Sequence, residues 1–321
     1  MRGSILGLAL SLAIFASDAT TAAAAQGPPA VFDLSAASEA QAARYIEVKG
    51  RKGAVGPARI AIVNFTVEFV DSRQAAPTRP TRPKKKLQAD DEPEPQVAAS
   101  VAIALDPAQL QPLVDTLYDS LAEDLRNFGA EVLAAADFDA LAARAALAPA
   151  LANAPDRREA TDESGKRTSM LFSAHARPAL ADWNAEATQA AERAAAKGDG
   201  LTLLDAHFVV DFLTLRDTDE RMFHRKLTPS YVQTIRAGES RLRLVRPDGS
   251  VLTATLKSPV QAAESPVARG RAGGYAVDVD ADEDSGSDVE RLMVNAAVYY
   301  DQSLRYLGAT EDMMLAATGF H

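Results

Sequence analysis

Residues 59–71 read RIAIVNFTVEFVD, and the rest of the chain is organised around them. β-Branched and aromatic residues recur here with a period of two, so the stretch is expected to be a strand. Ala61, Val63, Phe65, Val67 and Phe69 share one face. Ile60, Ile62, Asn64, Thr66 and Glu68 share the other, which turns polar halfway along. The downstream chain reads as layers packed on this strand.

Residues 97–105 suggest a returning strand-like segment. Asp106-Pro107-Ala108-Gln109 then starts a helix: Asp106 caps it, Pro107 suits the first helical position and Gln109 stands where a capping-box partner belongs. Leu110, Leu113, Val114, Leu117, Leu121, Leu125 and Phe128 recur at helical spacing as one buried stripe, and Gly129 ends the helix. A short strand is expected over 131–135 and a helix over 138–147, capped by Asp137. Residues 184–197 form an alanine-rich helix closed by Gly198 and Gly200.

The second strong strand runs over 201–216. Thr202, Leu204, Ala206, Phe208, Val210 and Phe212 lie on one face, with Asp205, His207 and Asp211 on the other. Residues 232–245 and 251–256 flank Pro247-Asp248-Gly249, a turn with the chemistry of a hairpin. An amphipathic helix over 289–307 closes the chain, with Val289, Leu292, Met293, Ala296, Tyr300, Leu304 and Leu307 as its buried stripe and Gly308 as its stop.

This order predicts an α/β fold: a mixed β-sheet flanked by helices, running strand-helix-strand-helix, then strand, hairpin and closing helix. The opening strand-helix-strand unit should be a right-handed crossover. Residues 1–25 read as a signal peptide: a basic start at Arg2, an apolar run over 4–16 and a small-residue cleavage site at Ala23-Ala24-Ala25. Residues 26–58 form an N-terminal segment. Residues 59–321 form a single α/β domain with polar insertions at 72–96 and 150–182.

The expected location is periplasmic or secreted, with no transmembrane span in the mature chain. The sequence has no cysteine, which removes disulfides, thiolate chemistry and a lipid-carrying cysteine together. A net charge of −10 disfavours nucleic acid as a partner. The local exception is the cluster Arg79, Arg82, Lys84, Lys85 and Lys86, set among prolines. It reads either as a solvated connector or as a docking site.

The segment RIAIVNFTVEF, a helix running into LYDSLAEDLRNFGAEVLAAADFDAL, then LTLLDAHFVVDF and the hairpin LRLVRPDGSVLTATL, resembles a bacterial envelope α/β fold. That fold occurs in the amino-terminal domain of TolB and in the curli secretion component CsgG. The resemblance covers about 59–307 as a pattern of elements and brings no residue with a chemical role. It implies a non-catalytic envelope protein that docks other proteins.

Motifs for chemistry are thin. The histidines are His175, His207, His224 and His321, with no two at helical ligand spacing. Asp205, His207 and Asp211 form the best local constellation, against a covered or solvated polar face as the plainer reading. Asp278, Asp280, Asp282, Asp284 and Asp288 imitate a calcium loop, but in neither register is there a glycine at its sixth position or an acid at its last. No G-x-S-x-G, phosphate loop or G-x-G-x-x-G occurs.

The expected function is therefore that of an exported protein-docking module for envelope partners, with Arg79, Arg82 and Lys84 to Lys86 as candidate docking residues and no catalytic, cofactor or metal residues. A ligand- or ion-binding module using the acidic 278–288 loop, and a hydrolase using carboxylates such as Glu68 and Asp205, are the alternatives. The sequence leaves oligomeric state and partner identity open.

Overall fold

A computed structural model describes residues 32–50, 58–75, 100–152, 157–162, 165–180, 182, 184–212, 214–217, 227–266, 277–281 and 288–320. The chain opens with α1 (Ser38–Tyr45), β1 (Ile46–Gly50), β2 (Arg59–Ala75), β3 (Ser100–Ile103), α2 (Pro107–Asn127) and β4 (Glu131–Val132). It continues through α3 (Ala135–Asp139), α4 (Ala142–Leu147), β5 (Leu151–Ala152), β6 (Arg157–Asp162), β7 (Gly165–Ser173), β8 (Ala179–Leu180) and α5 (Glu186–Asp199). Then follow β9 (Thr202–Asp211), β10 (Thr214–Asp217), β11 (Leu227–Ser230), β12 (Thr234–Ile235), β13 (Arg241–Val245) and β14 (Val251–Leu256). Last are β15 (Val260–Gln261), β16 (Val277–Ala281), β17 (Asp288–Leu292) and α6 (Ala296–Thr318).

The fold is α/β, with one large mixed sheet. Its main path runs β1-β14-β13-β9-β2-β3-β17-β16. Strand β2 is the hub. Along one edge it pairs with β9 in parallel and then with β3 antiparallel. Along the other it pairs with β4 in parallel and then with β7 antiparallel. Helix α2 starts as its sequence requires: the Asp106 side chain accepts the Ala108 amide at 2.9 Å and Pro107 opens the first turn. Its Leu110–Leu117–Leu121–Leu125 stripe is fully buried. The β13–β14 hairpin turns at Gly249, with φ +79°, and puts Leu242 opposite Ala254 and Leu244 opposite Leu252.

The face expected for β2 changes at a β-bulge. Ile62 pairs with Leu204 and Asn64 with Asp205, so Val63 is the extra residue. A bulge reverses the alternation beyond it. Ile60 and Ile62 therefore join Phe65, Val67 and Phe69 in the large core under α1, α2 and α6. Ala61 and Val63 join a smaller cluster with Leu133, Phe138, Leu147, Ala195 and Leu203, under α3 to α5.

Three further expectations change. Much of the polar insertion at 150–182 is not a loop, because β6 and β7 form a hairpin that extends the sheet along β2. The inward positions of β7 include Arg167 and Ser169, which find ionic and hydrogen-bonding partners, so no apolar alternation announces the strand. The closing helix is displaced: 288–292 is a strand, Asn295 caps α6 by accepting the Val298 amide at 3.3 Å, and the helix runs straight through Gly308. Met293 is 62% exposed and Leu304 39%, while Tyr299, Ser303, Tyr306, Thr310 and Glu311 face inward. The acidic stretch is in part a β16–β17 hairpin, with Asp278 opposite Arg291 and Asp280 opposite Val289.

Residues 32–50, read as a segment before the domain, belong to the same body: β1 lies antiparallel to β14, and Phe32 packs on Tyr45 at 5.2 Å. No helix among the described residues is long and apolar enough to cross a membrane.

Candidate functional site

On α2, Asp115 and Asp119 are one turn apart and Tyr118 lies beside them, so all three project to one side. The end of β7 brings the chain across that side. After Ser173 it turns through Ala174–Ala176, and two successive non-glycine residues take the left-handed conformation, His175 at φ +52° and Ala176 at φ +51°. Such a conformation costs on the order of 1 kcal/mol or more per residue and survives only where neighbours enforce it.

Asp115 enforces it. Its Oδ1 accepts the His175 backbone amide at 2.6 Å and the Gln111 side-chain amide at 2.7 Å. Gln111 also donates to the Ser173 carbonyl at 3.0 Å, which ties the end of β7 to α2.

The His175 ring is thereby fixed. It stands edge-on to Tyr118 with centroids 5.1 Å apart, and its Nε2 is 3.3 Å from Asp119 Oδ1. Arg177 hydrogen-bonds the Tyr118 side chain and reaches Asp139 at 3.1 Å. Burial pushes the Tyr118 phenol above its ordinary range.

Beside this turn lies an open groove of about 590 Å³, lined by His175, Tyr118, Asp119, Glu123 and Arg126 over a floor that includes Leu133 and Ala134. The lining carries hydrogen-bond donors, acceptors and both signs of charge, but no serine or threonine hydroxyl and no lysine. It can recognise a polar surface.

A second polar assembly lies behind the sheet. Asn64 donates to Asp205 at 2.6 Å and accepts the Leu180 amide at 3.3 Å. Thr66 meets His207 Nδ1 at 2.9 Å, and Ser169 donates to Glu68 at 2.7 Å. Arg73 pairs with Asp211 and Asp162, Arg167 with Glu239 and Glu68, and Arg236 with Asp211, Asp162 and Glu239. Arg243 joins Glu192 of α5 to Asp205.

Burial shifts these groups strongly. It pushes Glu192 up to about 7 against the pull of Arg243, and drives His207 down to about 3 with Arg241 adding to the effect. Burial also works on Glu239, but Arg167 and Arg236 overcome it and hold Glu239 at about 2. Charges that are buried and engaged in ion pairs in this way act as a structural layer.

The structure thus brings Asp205, His207 and Asp211 onto one face, as the sequence suggested, but covers them. It does not bring Glu68 and Asp205 together. Asp205 stands opposite Asn64 and Glu68 opposite Val209, four positions further along the ladder, and each has an arginine of its own. Arg79, Arg82, Lys84, Lys85 and Lys86 lie outside the described residues, as do Asp282 and Asp284 of the acidic stretch. Among the described residues, no group of three or more His, Asp or Glu side chains is disposed to hold a metal ion.

The groove was missed in the sequence because His175 lies 60 residues from Asp115 and 56 from Asp119. The signal the sequence does carry is the helical spacing of Asp115, Tyr118 and Asp119 on α2. Compared with protein-family models, curated proteins and solved structures, the chain finds no match in any of the three.

Proposed function

We propose that the chain is an exported α/β envelope protein that works by holding another protein, and that the groove beside His175 is where it takes hold. The observation that carries this reading is the His175–Ala176 turn: two non-glycine residues held left-handed by Asp115 at the rim of an open groove. Backbone strain of this kind clusters at ligand clamps and functional sites.

The groove's lining favours recognition over reaction. It offers an oriented imidazole, carboxylates and an arginine without a serine or threonine nucleophile, and Tyr118 is occupied by Arg177. Export rests on the leader-like residues 1–25. The basic cluster from Arg79 to Lys86 remains a second candidate contact, since concentrated positive charge on an acidic protein steers partners.

Affinity capture from envelope extract tests the reading, with the chain from Gln26 onward as bait and an Asp119→Asn/Glu123→Gln double variant beside it. A discrete partner retained by the wild type, and reduced at least about tenfold with the double variant, is the expected result. Equal recovery by both baits overturns the assignment of the groove.

A further inference from the structure

Glu311 lies on α6, a helix that packs against α1, α2 and the β1, β13 and β14 strands. It is 2% exposed, and its Oε2 is out of solvent with no hydrogen-bond partner. Thr310, Met313, Met314 and Leu315 around it are equally buried. Burial dominates its ionisation, and the charges of Asp312, next along α6, and Asp124, on α2, add to it, so the carboxyl group holds its proton well above the ordinary range.

Its two neighbours behave alike. Burial and Glu123 push Asp124 up, and burial, Asp124 and Glu39 of α1 push Asp312 up.

The cations on these elements are engaged elsewhere. Arg44 lies over the Tyr45 ring at 5.3 Å, Lys257 donates to the Ala43 carbonyl at 2.8 Å, and Lys49 pairs with Glu47. Arg126 lines the groove and Arg305 pairs with Asp301. Arg241 and Arg243 of β13 point to Asp205 and Glu192 on the opposite face. An ionised Glu311 would thus stand as a buried anion facing other anions, which is the costly arrangement.

We infer that the junction of α1, α2 and α6 is a proton-dependent latch, in which the buried carboxyl group of Glu311 seats α6 while it is protonated and loosens it when the proton leaves. Because the folded-state value of Glu311 is raised, its contribution to stability is complete below the ordinary carboxyl range and is lost as pH rises through the folded value. Alkalinity opens the latch and acid closes it. Helix α2 presents Asp124 to this junction and Glu123 to the groove, so one helix borders both. The latch goes beyond the docking reading and stands without it.

The test is unfolding of the chain from Gln26 onward, from about pH 5 to about pH 9, with Glu311→Gln beside the wild type. Over that span the wild type should lose about tenfold or more of its folding constant relative to Glu311→Gln, since one unit of pKa elevation corresponds to about tenfold. Amide exchange, corrected for its intrinsic pH dependence, should speed up in α6 at the alkaline end while β9 stays protected. Parallel pH profiles for the two proteins overturn the latch. If Glu311→Gln does not fold, Asp124→Asn serves: removing that charge should shrink the alkaline loss and end it at lower pH, and an unchanged profile is equally fatal.

Discussion

Arg243 Nη2 donates to both carboxylate oxygens of Glu192 at 2.6 Å, in a place solvent does not reach. This contact fastens α5 to β13 and closes the polar face of the sheet. Glu192→Ala leaves Arg243 buried without its main partner, and the expected loss is about 3–5 kcal/mol. Chemical denaturation measures it.

The same pair gives a pH limb. Burial raises folded Glu192 from 4.5 to about 7, so its contribution is complete below pH 4.5 and lost as pH climbs through 7. The wild type should weaken by roughly 2–3 kcal/mol across that window. Glu192→Gln should flatten this limb, and a limb of unchanged slope counts against the assignment.

His207 gives the opposite limb. Its folded value is depressed from 6.5 to about 3, so its contribution is present above 6.5 and lost as pH falls towards 3. Replacing His207 with Gln keeps a polar partner for Thr66 and removes the proton-binding ring. Acid titration of the folding midpoint should then show a shallower fall than in the wild type.

Gly50 closes β1 at φ +110°, and a Cβ there would lie 2.0 Å from the Val251 carbonyl oxygen. Gly50→Ala should therefore cost about 1–3 kcal/mol. The damage should be local: faster amide exchange along β1 and β14, with β2 and β9 unaffected.

Much of the fold was legible in the sequence where pattern and packing agree. The Asp106 cap, the leucine stripe of α2, the Pro247-Asp248-Gly249 hairpin and the apolar face of β9 all stand where the residues placed them. Two of the failures share a physical origin: inward positions filled by polar groups. Arg167 and Ser169 hid β7, while Gln302, Ser303, Thr310 and Glu311 hid the inner face of α6. The bulge at Val63 defeated a strict period of two on β2. The groove depends on a backbone turn and on partners far apart in the chain, which periodicity does not register.

Asp115 is the keystone of that groove. Asp115→Ala removes the acceptor that holds the His175 amide, and the left-handed turn should relax. A global cost of only about 1–2 kcal/mol is expected. Nuclear magnetic resonance should show the His175 and Ala176 signals moving or broadening while those of β2 remain in place.

If the groove beside His175 grips another protein, site-specific photo-crosslinking in the envelope should trap that protein there. A photoreactive side chain is placed at Glu123 in the groove and, in a second protein, at Glu47 on β1 as a distant control. Position 123 should give one discrete adduct, absent from position 47 and lost when Asp115→Ala is added. Adducts from position 47 alone, or a position-123 adduct indifferent to Asp115→Ala, would contradict it.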